Sequence, residues 1–296
     1  MHNHAHHHTH HHDESTSRIA WAFFLNVSFT IIEFIGGWLT NSTAIMADAV
    51  HDLGDSLSIG LAWILGTLSK RESTSKFSYG YRRFSLLGAL INGIVLIIGS
   101  IWVMSEAIPK LFNPEMPVVE GMFALAILGV TVNGYAAFKL SKGKSLNEQI
   151  LNWHLLEDVL GWVAVLVVSI VLMFVEWPIL DPILSIAFTL FILINVLRNL
   201  WATTKLFLQA APDADTAKAI HESLFSFAEV KDIHHLHFWS LDGEHHVMTA
   251  HLELNELVEP ARQIQLKTEI ADQLSGFGLE HTTIELEFPN EPCRDQ

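Results

Sequence analysis

Two histidine–aspartate pairs stand where long apolar runs would be expected to hold no ionisable group. His51 and Asp55 lie four residues apart in IMADAVHDLGDSL (45–57), and His154 and Asp158 repeat that spacing in NWHLLEDVLG (152–161). A spacing of four puts both members of a pair on one face of a helix. An aspartate at the centre of a membrane helix costs roughly 2.5–3.5 kcal/mol, so it persists where a partner or a function holds it. Two imidazoles and two carboxylates also equal the ligand count of a closed tetrahedral zinc site, with bonds of about 2.0–2.2 Å. Magnesium favours all-oxygen shells and copper(I) favours sulfur. The set therefore points to zinc, with cadmium, cobalt and nickel as competitors. Hydrogen bonds that brace each helix, or polar contacts between helices, are the plainer reading of one pair alone. The duplication favours the metal.

The distribution of histidine sharpens this reading. Of eighteen histidines, eight precede Asp13, eight follow Leu208, and only His51 and His154 lie between. Asp48, Asp52 and Glu157 flank the pairs, either extending an ion path or facing water at a helix end. Asn26 and Glu33, seven apart, share a helix face and a polar seam, while Gly36 and Gly37 suit close helix packing.

The elements that must carry these pairs are membrane helices. Half of the 296 residues are apolar and the formal net charge is −15, a combination unlike one soluble domain. The charge is uneven: residues 209–296 hold seventeen acidic against five basic side chains, and the middle of the chain is nearly uncharged. Six apolar runs, about 19–39, 44–68, 86–108, 118–140, 150–174 and 182–208, are long enough to cross a bilayer. The connections near Asn41, Pro114 and Glu176 carry only Lys110. The loop SKRESTSKFSYGYRR is basic, as is the link holding Lys139, Lys142 and Lys144. By the positive-inside rule both termini are cytoplasmic. No cleavable signal peptide is expected.

Residues 209–296 read as a small α+β unit in the order helix, strand, strand, helix, strand, with Asp242-Gly243 as the hairpin turn and Gly276 ending the second helix. Alternation sends Met248, Ala250, Leu252 and Leu254 to one face and His251 to the other. Ile284, Leu286 and Phe288 face inward, with Glu285 and Glu287 on the polar side. Strict alternation on the first strand puts His235 and His237 with Ile233 and Trp239. The single Cys293 excludes a disulfide framework and a cysteine-based zinc cage, and suits a reducing compartment.

The chain resembles the cation diffusion facilitator family along nearly its whole length. The resemblance rests on FIGGWLTNSTAIMADAVHDLGDS, FSYGYRR, HLLEDVLG, DPILSI and IHHLHFWSL, in that order. It implies six transmembrane helices followed by a ferredoxin-like cytosolic dimerisation domain, hence a homodimer without nucleic-acid partners. It implies a transport site of His51, Asp55, His154 and Asp158, typical of the zinc- and cadmium-selective branch. It also implies a second, regulatory zinc site on the cytosolic domain at His234, His251 and Glu287. The function it implies is divalent cation efflux, zinc foremost, by proton antiport with alternating access.

The domain boundaries expected are 1–17, a histidine-rich disordered tail that collects zinc, since nothing in it can form a core; 18–208, the membrane domain; and 209–296, the cytosolic domain. Short loops point to a bacterial inner membrane. The loop 69–78 has no histidine, so the interfacial metal site of some relatives is expected to be missing. Alternatives of other classes are a membrane-embedded metal sensor and an intramembrane zinc hydrolase. The latter lacks an H-E-x-x-H pattern and an open coordination position.

Overall fold

A computed structural model describes the backbone of residues 11–140 and 146–295, and the side chains of residues 23–139 and 155–295. Of the expected histidine-rich tail at 1–17, residues 1–10 lie outside these residues and residues 11–17 fall within the first helix. Six long helices come first: α1 (His11–Thr40), α2 (Thr43–Ser69), α3 (Phe84–Phe112), α4 (Val119–Leu140), α5 (Leu146–Phe174) and α6 (Leu180–Phe207). After them come α7 (Ala214–Phe225), β1 (Val230–Ser240), β2 (His246–Leu254), α8 (Pro260–Leu274) and β3 (Leu279–Glu287). Contacts divide the chain into two compact units, residues 1–63 with 91–199 and residues 64–90 with 200–296.

Five helices among the described residues are long and apolar enough to cross a membrane: α1, α3, α4, α5 and α6. α2 has 27 residues and sufficient length. Its apolar character is interrupted by Asp48, Asp52 and Asp55 within two turns. The aromatic side chains of Trp38, Phe112, Phe174 and Trp177 are exposed close to helix ends, where amphipathic rings suit a lipid–water boundary.

Inside the first unit, polar residues determine where helices begin and how close they come. α1 ends at Asn41 in a left-handed conformation (φ 54°), with the Ser42 amide donating to the Gly37 carbonyl at 3.1 Å. This is a Schellman-type stop, in which Asn tolerates positive φ. α2 then starts under Asp181, the second residue of α6. Asp181 is buried and accepts from Ser42 Oγ (2.5 Å), Thr43 N (2.7 Å), Thr43 Oγ1 (2.8 Å) and Ala44 N (3.3 Å). It satisfies amides that a helix start leaves open, and a negative charge there suits the helix dipole. The cap is supplied from 137–139 residues away.

Close packing sets the rotation of the same helices. Trp162 of α5 is fully buried, edge-on to Phe29 of α1 at 5.7 Å between ring centroids. Its indole occupies the space a Cβ on Gly129 of α4 would need. Gly54 of α2 makes the same allowance for Leu96 of α3. The core of this face adds Ala44, Ile45, Met122, Ala126 and Val165.

The second unit is a three-stranded sheet in the order β1-β2-β3, with β1 antiparallel and β3 parallel to β2. Its core joins Ile220 and Leu224 of α7, Leu266, Ile270 and Leu274 of α8, and the inward residues Met248, Ala250, Leu252 and Leu254, as alternation on β2 predicts. Asp213 caps α7 through the Thr216 amide (2.8 Å) and hydroxyl (2.7 Å). The hairpin is longer than the expected two-residue turn. Residues 241–245 close on Asp242, whose Oδ1 accepts from the amides of Glu244 (3.0 Å) and His245 (2.8 Å). The chain after α8 is stopped by Gly278 (φ 65°) rather than Gly276, because a short 3-10 turn over Ser275–Phe277 continues the winding.

The loop before α3 belongs to this unit. Gly80 turns with φ 73°, Tyr79 meets Trp239 and His281 at ring distances of 6.5 and 5.2 Å, and Arg82 pairs with Glu280 at 2.5 Å. The FSYGYRR stretch is thus an anchor of the sheet.

Asp181→Ala removes the acceptor of the Ser42 and Thr43 hydroxyls and of the Thr43 and Ala44 amides, and leaves these buried donors unpaired. It is expected to lower stability by about 2–4 kcal/mol, read as a reduced thermal midpoint of the detergent-purified protein. Asp181→Asn, which keeps one acceptor, is expected to lose less.

Candidate metal centres

The structure brings His51, Asp55 and Asp158 together. His51 Nε2 lies 3.7 Å from Asp55 Oδ2 and 3.7 Å from Asp158 Oδ1. One ligand atom from each of the three falls within 4.8 Å of the others. The first contact follows from the i,i+4 spacing on α2; the second requires α5 to lie alongside α2. Where they meet, Asp48 Oδ1 is 3.5 Å from the position a Cβ on Gly161 would take, which is van der Waals contact between the two helices. Asp158 is buried, while His51 and Asp55 keep about a quarter of their side chains accessible. His154 lies one turn before Asp158 on α5; its side chain is outside the described residues.

The buried polar environment extends beyond this group. Glu33 of α1 is fully buried, and Asp48 and Asp52 are nearly so. Asp48 and Asp52 therefore do not face water at a helix end. Asn26 Nδ2 donates to Ser56 Oγ (3.1 Å) and the Asp52 carbonyl (3.4 Å), so the polar seam of α1 expected from its seven-residue spacing packs against the charged side of α2. With no lysine or arginine buried among the described residues, a cation or protons must supply the positive charge.

A second cluster sits on the sheet. His251 Nδ1 is 2.8 Å from Glu287 Oε1, and His234 Nε2 is 3.0 Å from Glu287 Oε2. Strict alternation on β1 is overturned here. The ladder pairs His234 with His251 and then shifts register before His237 pairs with Thr249. His235 takes φ 48° at that shift. This bulge moves the strand's parity by one residue: Ile233 and Phe238 enter the core, Trp239 does not share their face, and His234 turns to the carboxylate side. His235 and His237 keep part of their surface accessible.

Cys293, set aside by its count of one, joins the cluster. Ligand atoms of His234, His251, Glu287 and Cys293 all fall within 4.8 Å of one another. No sequence spacing signals this, because Cys293 lies beyond the last strand and reaches the site through a turn. Although burial opposes ionisation, hydrogen bonds from His251, Cys293 and His234 hold the Glu287 carboxyl below its usual range. The donor set, two imidazoles, a carboxylate and sulfur, matches what zinc accepts.

Comparison with known proteins gives matches over both units. Residues 19–208 match a domain described as the cation efflux transmembrane domain, and residues 212–288 match the cation efflux protein cytoplasmic domain. The zinc transporter ZitB of Escherichia coli K12 is 32% identical over 99% of this chain and 93% of its own length. The cadmium, cobalt and zinc/H(+)-K(+) antiporter of Bacillus subtilis 168 is 31% identical over 90% of this chain and 87% of its own. The metal cation efflux system protein CzcD of Cupriavidus metallidurans is 30% identical over 99% of this chain and 90% of its own.

Glu287 carries a pH prediction. Its folded-state ionisation is depressed, so its contribution to stability is complete above the unfolded carboxylate value and vanishes as the pH falls through the folded one. Glu287→Gln is expected to be less stable at neutral pH, with the gap narrowing on acidification through the carboxylate range. Thermal unfolding of both proteins across that range checks it.

Proposed function

This chain belongs to the cation efflux family, a family of transporters and not of enzymes, and on that premise we propose that it moves zinc out of the cytoplasm in exchange for protons. Cadmium, cobalt and nickel are the competing cargo. The observation that carries the reading is the meeting of His51 and Asp55 on α2 with Asp158 on α5, with His154 one turn from Asp158 as the fourth ligand. The Escherichia coli relative is named for zinc and the Bacillus subtilis relative for cadmium, cobalt and zinc against protons and potassium, which supports zinc among the cargo and protons among the counter-ions.

The chemistry of the ligands makes protons competitors. Imidazole binds metal only when neutral and carboxylate only when ionised, so metal entry releases protons and proton entry releases metal. Imidazole is the side chain whose charge changes most readily around neutral pH, which suits it to such an exchange. When the site opens to a more acidic side, protonation of His51 and His154 weakens the grip and the ion leaves. Reorientation of the helices around a fixed site is the alternating access such a cycle needs.

The remaining features fit the same reading. α2 is a sixth span despite its carboxylates, which face other helices and the ion. The boundaries are a collecting tail at 1–17, the membrane domain at 18–208 and the cytosolic domain at 209–296. The αββαβ order of the latter suits a ferredoxin-like dimerisation domain, and the protein works as a homodimer. Basic loops support cytoplasmic termini in a bacterial inner membrane. His234, His251 and Glu287 hold a regulatory zinc that draws the cytosolic domains of the dimer together.

His51→Ala in proteoliposomes carrying an internal pH dye is expected to lose zinc-driven proton exchange by more than about tenfold, since it removes one of four metal ligands, with an unchanged unfolding profile. Retained exchange would overturn the assignment. Zinc affinity of the unsubstituted protein is expected to fall as pH drops through the imidazole range, and a flat profile would count equally against it.

A further inference from the structure

The segment after β3 carries more chemistry than its position suggests. The match to the family's cytoplasmic domain ends at residue 288, and there the chain enters a turn built from its own residues. The Glu291 amide donates to the Phe288 carbonyl at 3.0 Å, with Pro289 and Asn290 between and Asn290 at φ 66°. Pro before a residue at positive φ is the type II arrangement. The Glu291 side chain fastens the turn by accepting from the Phe288 amide at 3.0 Å. The chain is thereby reversed over the polar side of β3, and Arg294 pairs with Glu285.

That reversal brings Cys293 Sγ to 3.5 Å from His251 Nδ1, while Asp295 Oδ2 comes to 3.5 Å from His251 Nε2, the other ring nitrogen. Glu285 lies on that same side at 3.9 Å. Tetrahedral ligands bound at about 2.0–2.3 Å stand about 3.3–3.8 Å apart. The observed separations of 2.8, 3.0 and 3.5 Å among His251, Glu287, His234 and Cys293 need only small adjustments to enclose an ion. A carboxylate on the distal nitrogen of a ligating imidazole orients the ring, and Asp295 occupies that place.

Resting on the cytosolic site proposed above, we propose that Cys293 is its fourth ligand. The three expected ligands leave a coordination position open; sulfur closes it. On binding, the thiol releases its proton to solvent as the metal–sulfur bond forms, with no change of oxidation state. A closed site with one thiolate suits a resident ion that is held and not passed on. Thiolate also favours soft cations, so the site answers to zinc and cadmium over magnesium or manganese.

Because Cys293 is the only cysteine of the chain, a metal–thiolate signal has one source. The test is cobalt(II) titration of the full-length protein in detergent, with bound metal measured alongside the near-ultraviolet spectrum. An intense sulfur-to-cobalt charge-transfer band is expected. It should be lost in Cys293→Ser while cobalt still binds, and lost in His251→Ala together with one equivalent of bound cobalt. Zinc should also protect Cys293 from alkylation. Binding that depends on His251 but gives no band overturns the cysteine and spares the three-ligand site. A band that survives His251→Ala also overturns the proposal, by assigning the sulfur to another site. If bound cobalt is the same in His251→Ala, the cytosolic site itself falls, and Cys293 with it.

Discussion

The constraint on which this architecture depends is the cost of carrying carboxylates through a bilayer. Glu33, Asp48, Asp52 and Asp158 are buried in the helical unit, with no lysine or arginine buried among the described residues. Left ionised and alone, each would cost several kcal/mol. They persist because they converge, so that a divalent cation or protons can neutralise them as a set. Exchange of one neutralising species for the other is the step on which the proposed cycle rests.

Convergence demands precise helix placement, and the structure supplies it with polar caps and tight packing. Asp181 of α6 determines where α2 begins, and hence at what height His51 and Asp55 sit. Trp162, one turn beyond Asp158, is lodged against Gly129 and Phe29 and sets the rotation of α5. Gly54, one residue before Asp55, lets α3 close on α2 through Leu96. These residues touch no cargo, yet an error of a few tenths of a turn in either helix would separate His51 from Asp158. Packed interiors hold such positions because they deform little.

The sheet unit solves a related problem with different means. His234, His251 and Glu287 stand on strands, where alternation leaves no freedom in the direction a residue points. A bulge at His235 re-aims His234, and a reversal at Pro289-Asn290 folds the C-terminal segment back over the sheet. Each device brings one more side chain of ligand type beside His251 and Glu287, which neighbouring strands already hold 2.8 Å apart.

The amino-acid sequence by itself determined what depends on neighbours along the chain. Apolar length marked six helices, and the four-residue spacing joined His51 to Asp55. Alternation separated Met248, Ala250, Leu252 and Leu254 from His251. The tertiary structure decided what depends on distance in space. It set α2 against α5 so that His51 meets Asp158, and it recruited Asp181 as the cap of a helix more than about a hundred residues away. It also inverted the parity of β1 at His235 and returned Cys293 to the sheet. The physical reason is that spacing reports the periodicity of one element, whereas a bulge, a cap or a returning segment is selected by the groups it must satisfy elsewhere in the fold.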